Sequence, residues 1–344
     1  MIDFLRKHIL SLTSLGLGLV LILGISLCVG AYSMDLSTIW AAIFGQATEA
    51  ESFLILNIRL PRILLTAITG AGLAISGAAI QGLFRNPLAD QTLIGVSSGA
   101  MLFAVLSIVL LGSLLAPFAE IFQQASIAIF AFLGGLISTY VVYFLSRKGG
   151  RTQVMTMLLA GIAISAFAGA ISGLFIYLSD EQQLRDITFW SMGSFSASSW
   201  TQVLISAPLV FLGIAIMIGY ADSLNAMLLG ESEAIYLGFE VEKIKSRIIL
   251  ITALVVGICI AMSGIIGFVG LIIPHFLRLV RGSDYRYLMK SSALLGASFL
   301  LAADTLARTI IIPAELPIGI LTATIGAPFF LWLLIKSQKE RFLI

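Results

Sequence analysis

Charge is what this chain has least of. Only 11% of its 344 residues are Asp, Glu, Lys or Arg, while 59% are hydrophobic, and a soluble domain carries about a quarter charged residues. That excludes a water-soluble fold. The charges that exist are nearly balanced, 20 basic against 18 acidic, so no concentrated basic surface is available for phosphate and nucleic acid is excluded as a partner. Histidine is almost missing, with His8 and His275 isolated in sequence, and the two cysteines, Cys28 and Cys259, lie far apart in apolar runs. Neither a disulfide framework nor a metal site fits that spacing, and both cysteines read as small buried hydrophobes. Independent polar domains are lacking too. The longest polar stretches, 32–58, 179–202 and 221–247, are each too short to fold alone, which leaves residues 1–344 as a single membrane domain.

What is present in quantity is apolar runs of about 20 residues, the length that crosses ~30 Å of hydrocarbon. Ten are expected: Ile9–Ala31, Ile63–Phe84, Thr92–Leu115, Ala125–Leu145, Val154–Leu178, Val203–Tyr220, Ile248–Ser263, Ile265–Val280, Leu288–Ile312 and Leu316–Ile335. The class is an all-α polytopic membrane protein. The first run follows Arg6 and Lys7 like a signal peptide, but its apolar stretch is about twice the usual length, so it is read as a helix. The seventh and eighth share only 33 residues, interrupted by Gly264, Gly267, Gly270 and Pro274. Basic residues flank the pair at both ends, so it is expected to be a hairpin with a short, broken second limb.

With both termini in the cytoplasm, only Arg59, Arg62, Arg185 and Arg308 of the 20 basic residues face outward, as the positive-inside rule requires of the majority. Each of the four could simply snorkel to the interface. No ionisable residue falls at the centre of a crossing, so neither ion coupling nor intramembrane proteolysis has visible machinery. Asp304 and Arg308 stand four apart on one helix face near its outer end, where an ion pair explains both. No catalytic residue is assigned.

Gly70-x-x-x-Ala74-x-Ser76-Gly77 recurs as Gly257-x-x-x-Ala261-x-Ser263-Gly264, an offset of 187 residues. Four crossings separate the host helices, so the echo fits an inverted internal repeat. The fifth crossing carries Gly161, Ser165, Gly169 and Gly173. That stripe allows close helix packing or lines a path for a bulky substrate. On the cytoplasmic side, residues 222–240 read as a short amphipathic helix, capped by Asp222 or Ser223 and stopped by Gly238. Its apolar side must be covered by a partner protein or by lipid, and Glu231, Glu233, Glu240 and Glu242 disfavour the anionic inner leaflet.

Arg59-Leu60-Pro61-Arg62, Gly77, Gln81, Arg85-Asn86-Pro87-Leu88-Ala89 and Gly95 resemble the signature of the FecCD family, the permeases of type II ABC importers for ferric siderophores, haem and cobalamin. Gly230-Glu231 with Ala234, Leu237 and Gly238, then Gly270-Leu271, Pro274-His275 and Arg278, and finally PAELPIGILTATIGAPFFLWLL extend the resemblance over essentially the whole chain. It implies a type II ABC importer permease fold of ten helices, a homodimer in the bacterial inner membrane, two separate ATP-binding cassette ATPase subunits below and a periplasmic substrate-binding protein above. By the same resemblance Arg59, Arg62 and Arg308 dock the binding protein, and Gly230, Glu231, Ala234, Leu237 and Gly238 form the ATPase coupling segment. No cofactor or resident metal is implied. LRDITFWSMGS and AELPIG look most like haem permeases, ahead of ferric siderophore and cobalamin ones. An ion-coupled secondary transporter and an inert scaffold are the rival classes.

Overall fold

The computed structural model describes residues 11–30, 32–111 and 120–341; Arg6, Lys7 and His8 lie outside them. The ten apolar runs all contain helix. In chain order these are α1 (Leu12–Cys28), α3 (Glu49–Leu83), α4 (Val96–Leu111), α5 (Glu120–Ser146), α6 (Val154–Tyr177), α8 (Trp200–Gly219), α11 (Val241–Ser263), α12 (Val269–Arg281), α13 (Tyr285–Ile310) and α14 (Ile318–Arg341). Four shorter helices fill the connections: α2 (Leu36–Ile43), α7 (Glu181–Met192), α9 (Ala221–Leu229) and α10 (Glu231–Tyr236). A two-residue-per-strand hairpin, β1 (Arg147–Lys148) and β2 (Arg151–Thr152), joins α5 to α6.

Local chemistry sets many of the boundaries. Thr48 with Glu51, Asp180 with Gln183 and Ser199 with Gln202 are reciprocal capping boxes that start α3, α7 and α8, each satisfying two helix-end N–H groups. α3 begins 14 residues before its apolar run, inside the stretch expected as an outer loop. Its turns from Leu54 to Arg59 widen to a π-helix, and the Leu60 N–H reaches back to Ile55. Pro61 follows with no N–H to donate, so the register change falls where the ladder is already interrupted.

α3 is the axis of the fold, with 89% of its apolar window buried, and it packs most extensively on α13. Two glycine contacts allow that approach. A Cβ on Gly70 would strike the Gly296 carbonyl of α13, and one on Gly77 would strike the backbone of Gly270 on α12. α6 lies at the other extreme, only 17% buried over its window. The pair α11–α12 has the expected broken limb: residues 264–268 are not helical, Phe268 sits at φ 68°, and α12 has 13 residues, about 20 Å at the helical rise and short of a full crossing. Both cysteines are unpaired, Cys28 half-buried and Cys259 buried.

Two connections differ from expectation. Residues 32–58 hold α2 and the start of α3 rather than a loop. The cytoplasmic helix expected over 222–238 is two helices broken at Gly230, whose φ of 141° and ψ of 155° lie outside what an L side chain adopts; the helix starts at Ala221 without a side-chain cap.

Candidate functional site

Where α3 begins and α13 ends, three arginines converge. Arg62 is the best held: its Nε donates to Asp304 Oδ2 at 3.0 Å, its Nη2 to Asp304 Oδ1 at 2.9 Å, and its Nη1 to Glu315 Oε1 at 2.8 Å. Asp304 is 1% exposed whereas Glu315 is 40% exposed, so one carboxylate is enclosed and the other reaches the surface. Arg59 donates to the carbonyls of Leu27, at 2.5 Å, and of Tyr32. Arg308 donates to the Ser26 carbonyl at 2.5 Å and to Ser26 Oγ at 2.7 Å; its Nε lies 3.9 Å from Asp304. The three guanidiniums are held by contacts within the chain, on α1, α13 and Glu315, and the main partner of Asp304 is Arg62, with the expected Arg308 pair longer at 3.9 Å.

At the opposite end, where α3 finishes and α13 starts, α9 and α10 divide into a buried and an open face. Leu224, Met227 and Ala234 face the bundle, while Leu228, Leu229, Ile235, Tyr236 and Leu237 are exposed. Of the expected coupling residues, Gly230 makes the break, Ala234 anchors, Leu237 is open, and Gly238, at φ 89°, ends the pair. Glu231 is an ion-pair partner of Lys245 at 2.7 Å. Leu224 and Tyr285 both pack against Gly82 of α3. A polar chain ties α9 to the core: Asn225 Nδ2 donates to Asp284 at 2.8 Å, Asn225 Oδ1 accepts from the Tyr285 N–H at 2.9 Å, the Tyr285 hydroxyl accepts from Arg278 at 2.6 Å, and Arg278 reaches Gln81 Oε1 at 2.7 Å. The Asn225 amide and the Arg286 N–H hold the Asp284 carboxyl below the usual aspartate range. His275 lies 3.3 Å from the Pro87 carbonyl, a contact between α12 and the turn at 85–90.

The stripe on α6 does not act as one surface. Gly161 abuts the Leu93 carbonyl, and Ser165 Oγ meets Ser98 Oγ at 3.0 Å; these two pack on the entry to α4. Gly169 and Gly173 are open, with nothing within 4 Å of an added Cβ. A cavity of about 550 Å³ between α5, α8 and α11, lined by Ile129, Phe132, Ile205, Leu209, Ile258 and Met262 among others, contains none of the stripe. Among the described residues no group of three or more His, Cys, Asp or Glu side chains could hold a metal.

Lys245, Glu315, Asn225 and Asp284 hold these two ends together without any local signal that marks them. Lys245 counted as one more cytoplasmic charge, and the others have partners far along the chain.

Residues 18–336 match the profile of the FecCD transport family. The chain is 43% identical over 330 residues to the hemin transport system permease protein of Yersinia pestis, covering 94% of this chain and 96% of that protein. It is also 43% identical to a cobalamin import system permease of Halobacterium salinarum, over 83% of this chain and 74% of that one, and 37% identical to an Fe(3+)-citrate import permease of Bacillus subtilis, over 92% of each. A solved structure described as an inward-facing conformation of a metal-chelate type ABC transporter superposes with a TM-score of 0.81 at 36% identity, covering 94% of this chain and 98% of that one.

Proposed function

The chain belongs to the FecCD transport family, and from that premise we propose that it is the membrane permease of an ATP-driven importer carrying haem into the cytoplasm. A ferric siderophore or a cobalamin is the runner-up cargo. The observation that carries the reading is the nearly end-to-end likeness to a hemin permease. The sequence adds that no ionisable residue falls at the centre of an expected crossing, which favours an external energy source.

In this reading hydrolysis belongs to a pair of separate ATPase subunits that seat on the exposed Ile235 and Tyr236 of α10 and on Leu237, which follows it. Two copies of the chain form the pathway in the bacterial inner membrane, termini inside, with the open Gly169–Gly173 half of α6 along it. Docking of a periplasmic binding protein at Arg59, Arg62 and Arg308 carries a condition set by their contacts: a partner carboxylate has to compete with Glu315 for Arg62 and with main-chain carbonyls for the other two.

The test is reconstitution in liposomes with the ATPase and binding protein from neighbouring genes, loading haem, a ferric siderophore or cobalamin. ATP-dependent uptake of haem that persists with an uncoupler is expected. Uptake abolished by the uncoupler and indifferent to ATP would identify an ion-coupled transporter, and uptake of cobalamin alone would overturn the cargo.

A further inference from the structure

One lysine joins three elements that the sequence keeps apart. Lys245, in the first turns of α11, is 1% exposed. Its Nζ donates to Glu231 Oε2 at 2.7 Å, to Glu242 Oε1 at 3.2 Å and to the Thr152 carbonyl at 3.3 Å. An ammonium has three protons to donate, and here each has an acceptor. Glu242 extends the link, because its Oε2 accepts from the Thr152 N–H at 2.7 Å. Thr152 closes the hairpin after α5, and the next residue, Gln153, is the N-cap of α6.

The cluster therefore touches the segment that offers an apolar face to solvent and the start of the least buried long helix. Glu231 is the first residue of α10, one turn from the exposed Ile235 and Tyr236. Burying an ion network of this kind seldom gives more stability than apolar residues of equal volume would, since desolvation offsets the attraction. A role in holding position accounts for its presence where a gain in stability does not.

We propose that Lys245 is a positioning residue for transport, the rigid link through which displacement of α10 moves the 147–152 hairpin and with it the head of α6. The inference rests on the reading of α10 as the ATPase contact. Chains of packed side chains and hydrogen-bond or ion-pair networks carry coupling between distant elements. The Lys245 cluster is contiguous from α10 to α6, and the alternative polar chain through Asn225 and Arg278 leads instead to the packed α3–α12–α13 core.

The experiment uses the complete reconstituted transporter. Lys245→Met removes the link but strands two carboxylates, so Lys245→Met with Glu242→Gln is made beside it, leaving only the partly exposed Glu231 charged. Two quantities are read: cargo moved per ATP hydrolysed, and the ATP-induced emission change of an environment-sensitive dye on Lys148→Cys in a Cys28→Ser background. Cargo per ATP is expected to fall about tenfold, within the usual 5- to 150-fold range of coupling between sites, with the dye response lost and Lys245→Arg restoring part of both. A double variant that assembles, transports at the wild-type ratio and keeps the dye response overturns the proposal. So does a variant whose transport and hydrolysis fall together in proportion to protein lost from the membrane. If the unmutated complex shows no ATP-driven uptake, the fault lies in the functional reading and not in Lys245.

Discussion

Removing Arg62 is the sharpest test of what the outer arginines do. Arg62→Leu leaves Asp304 enclosed at 1% exposure with its two donated bonds gone. Breaking a buried pair from one side costs about 3–5 kcal/mol, because the remaining charge is unsolvated. The nearest replacement is Arg308, whose Nε is 3.9 Å from Asp304 and can close part of that gap, so the lower end, about 3 kcal/mol, is expected. Against a net stability of about 5–15 kcal/mol for a typical domain that is a large fraction. Arg62→Leu with Asp304→Leu removes both charges and should recover about 2 kcal/mol or more of the loss, since apolar replacement of a whole buried pair is often neutral. Glu315→Gln, on the 40% exposed partner, should cost under about 1 kcal/mol. Denaturant unfolding of the micelle-solubilised chain, followed by the fluorescence of its four tryptophans, reads all three. If Arg62→Leu costs under about 1 kcal/mol, or if the double variant is no better than the single one, the pair is not a closed internal contact. Arg62 would then be free to meet a binding protein, as the family resemblance implies.

Leu237→Asp places a charge where the side chain is already solvent-exposed, so expression and unfolding should stay within about 0.5 kcal/mol of wild type while co-purification with the ATPase is lost; retained co-purification would move the contact off α10. The two halves of the α6 stripe should separate cleanly. Gly161→Leu drives a side chain into the Leu93 carbonyl and should cost about 1–3 kcal/mol by overpacking, visible as lower yield from the membrane. Gly169→Leu enters open space and should leave yield unchanged while slowing cargo uptake in liposomes; equal loss of yield for both would restore a uniform packing stripe.

The crossings were legible because apolar length is a local property: each run of about 20 residues declares itself without reference to any other. The oddity of Arg59, Arg62 and Arg308 was legible for the same reason. Where their side chains go was not, since Asp304 is 242 residues from Arg62 and Ser26 is 282 from Arg308. Lys245 escaped notice because the positive-inside rule already explains a lysine at that end; only folding brings Thr152, 93 residues away, onto its Nζ. The break at Gly230 escaped for a related reason. Glycine inside an amphipathic pattern is tolerated at about 1 kcal/mol, so the pattern runs through it, and only the φ of 141° divides one helix into two.

The distribution of close contacts also says which parts can move. α3 meets α13 through Gly70 and Gly296 and meets α12 through Gly77 and Gly270, backbone against backbone. Interfaces packed that tightly do not slide by small amounts, because interiors have no spare volume to deform into. α6 is different: its window is 17% buried against 89% for α3, with Gly169 and Gly173 open on one side and Ala168 and Ser172 buried on the other. A helix packed on one side only has fewer contacts to break in moving than one enclosed all round. In the proposed link the locked axis leaves displacement to α6, through its hold at Thr152 on Glu242 and Lys245.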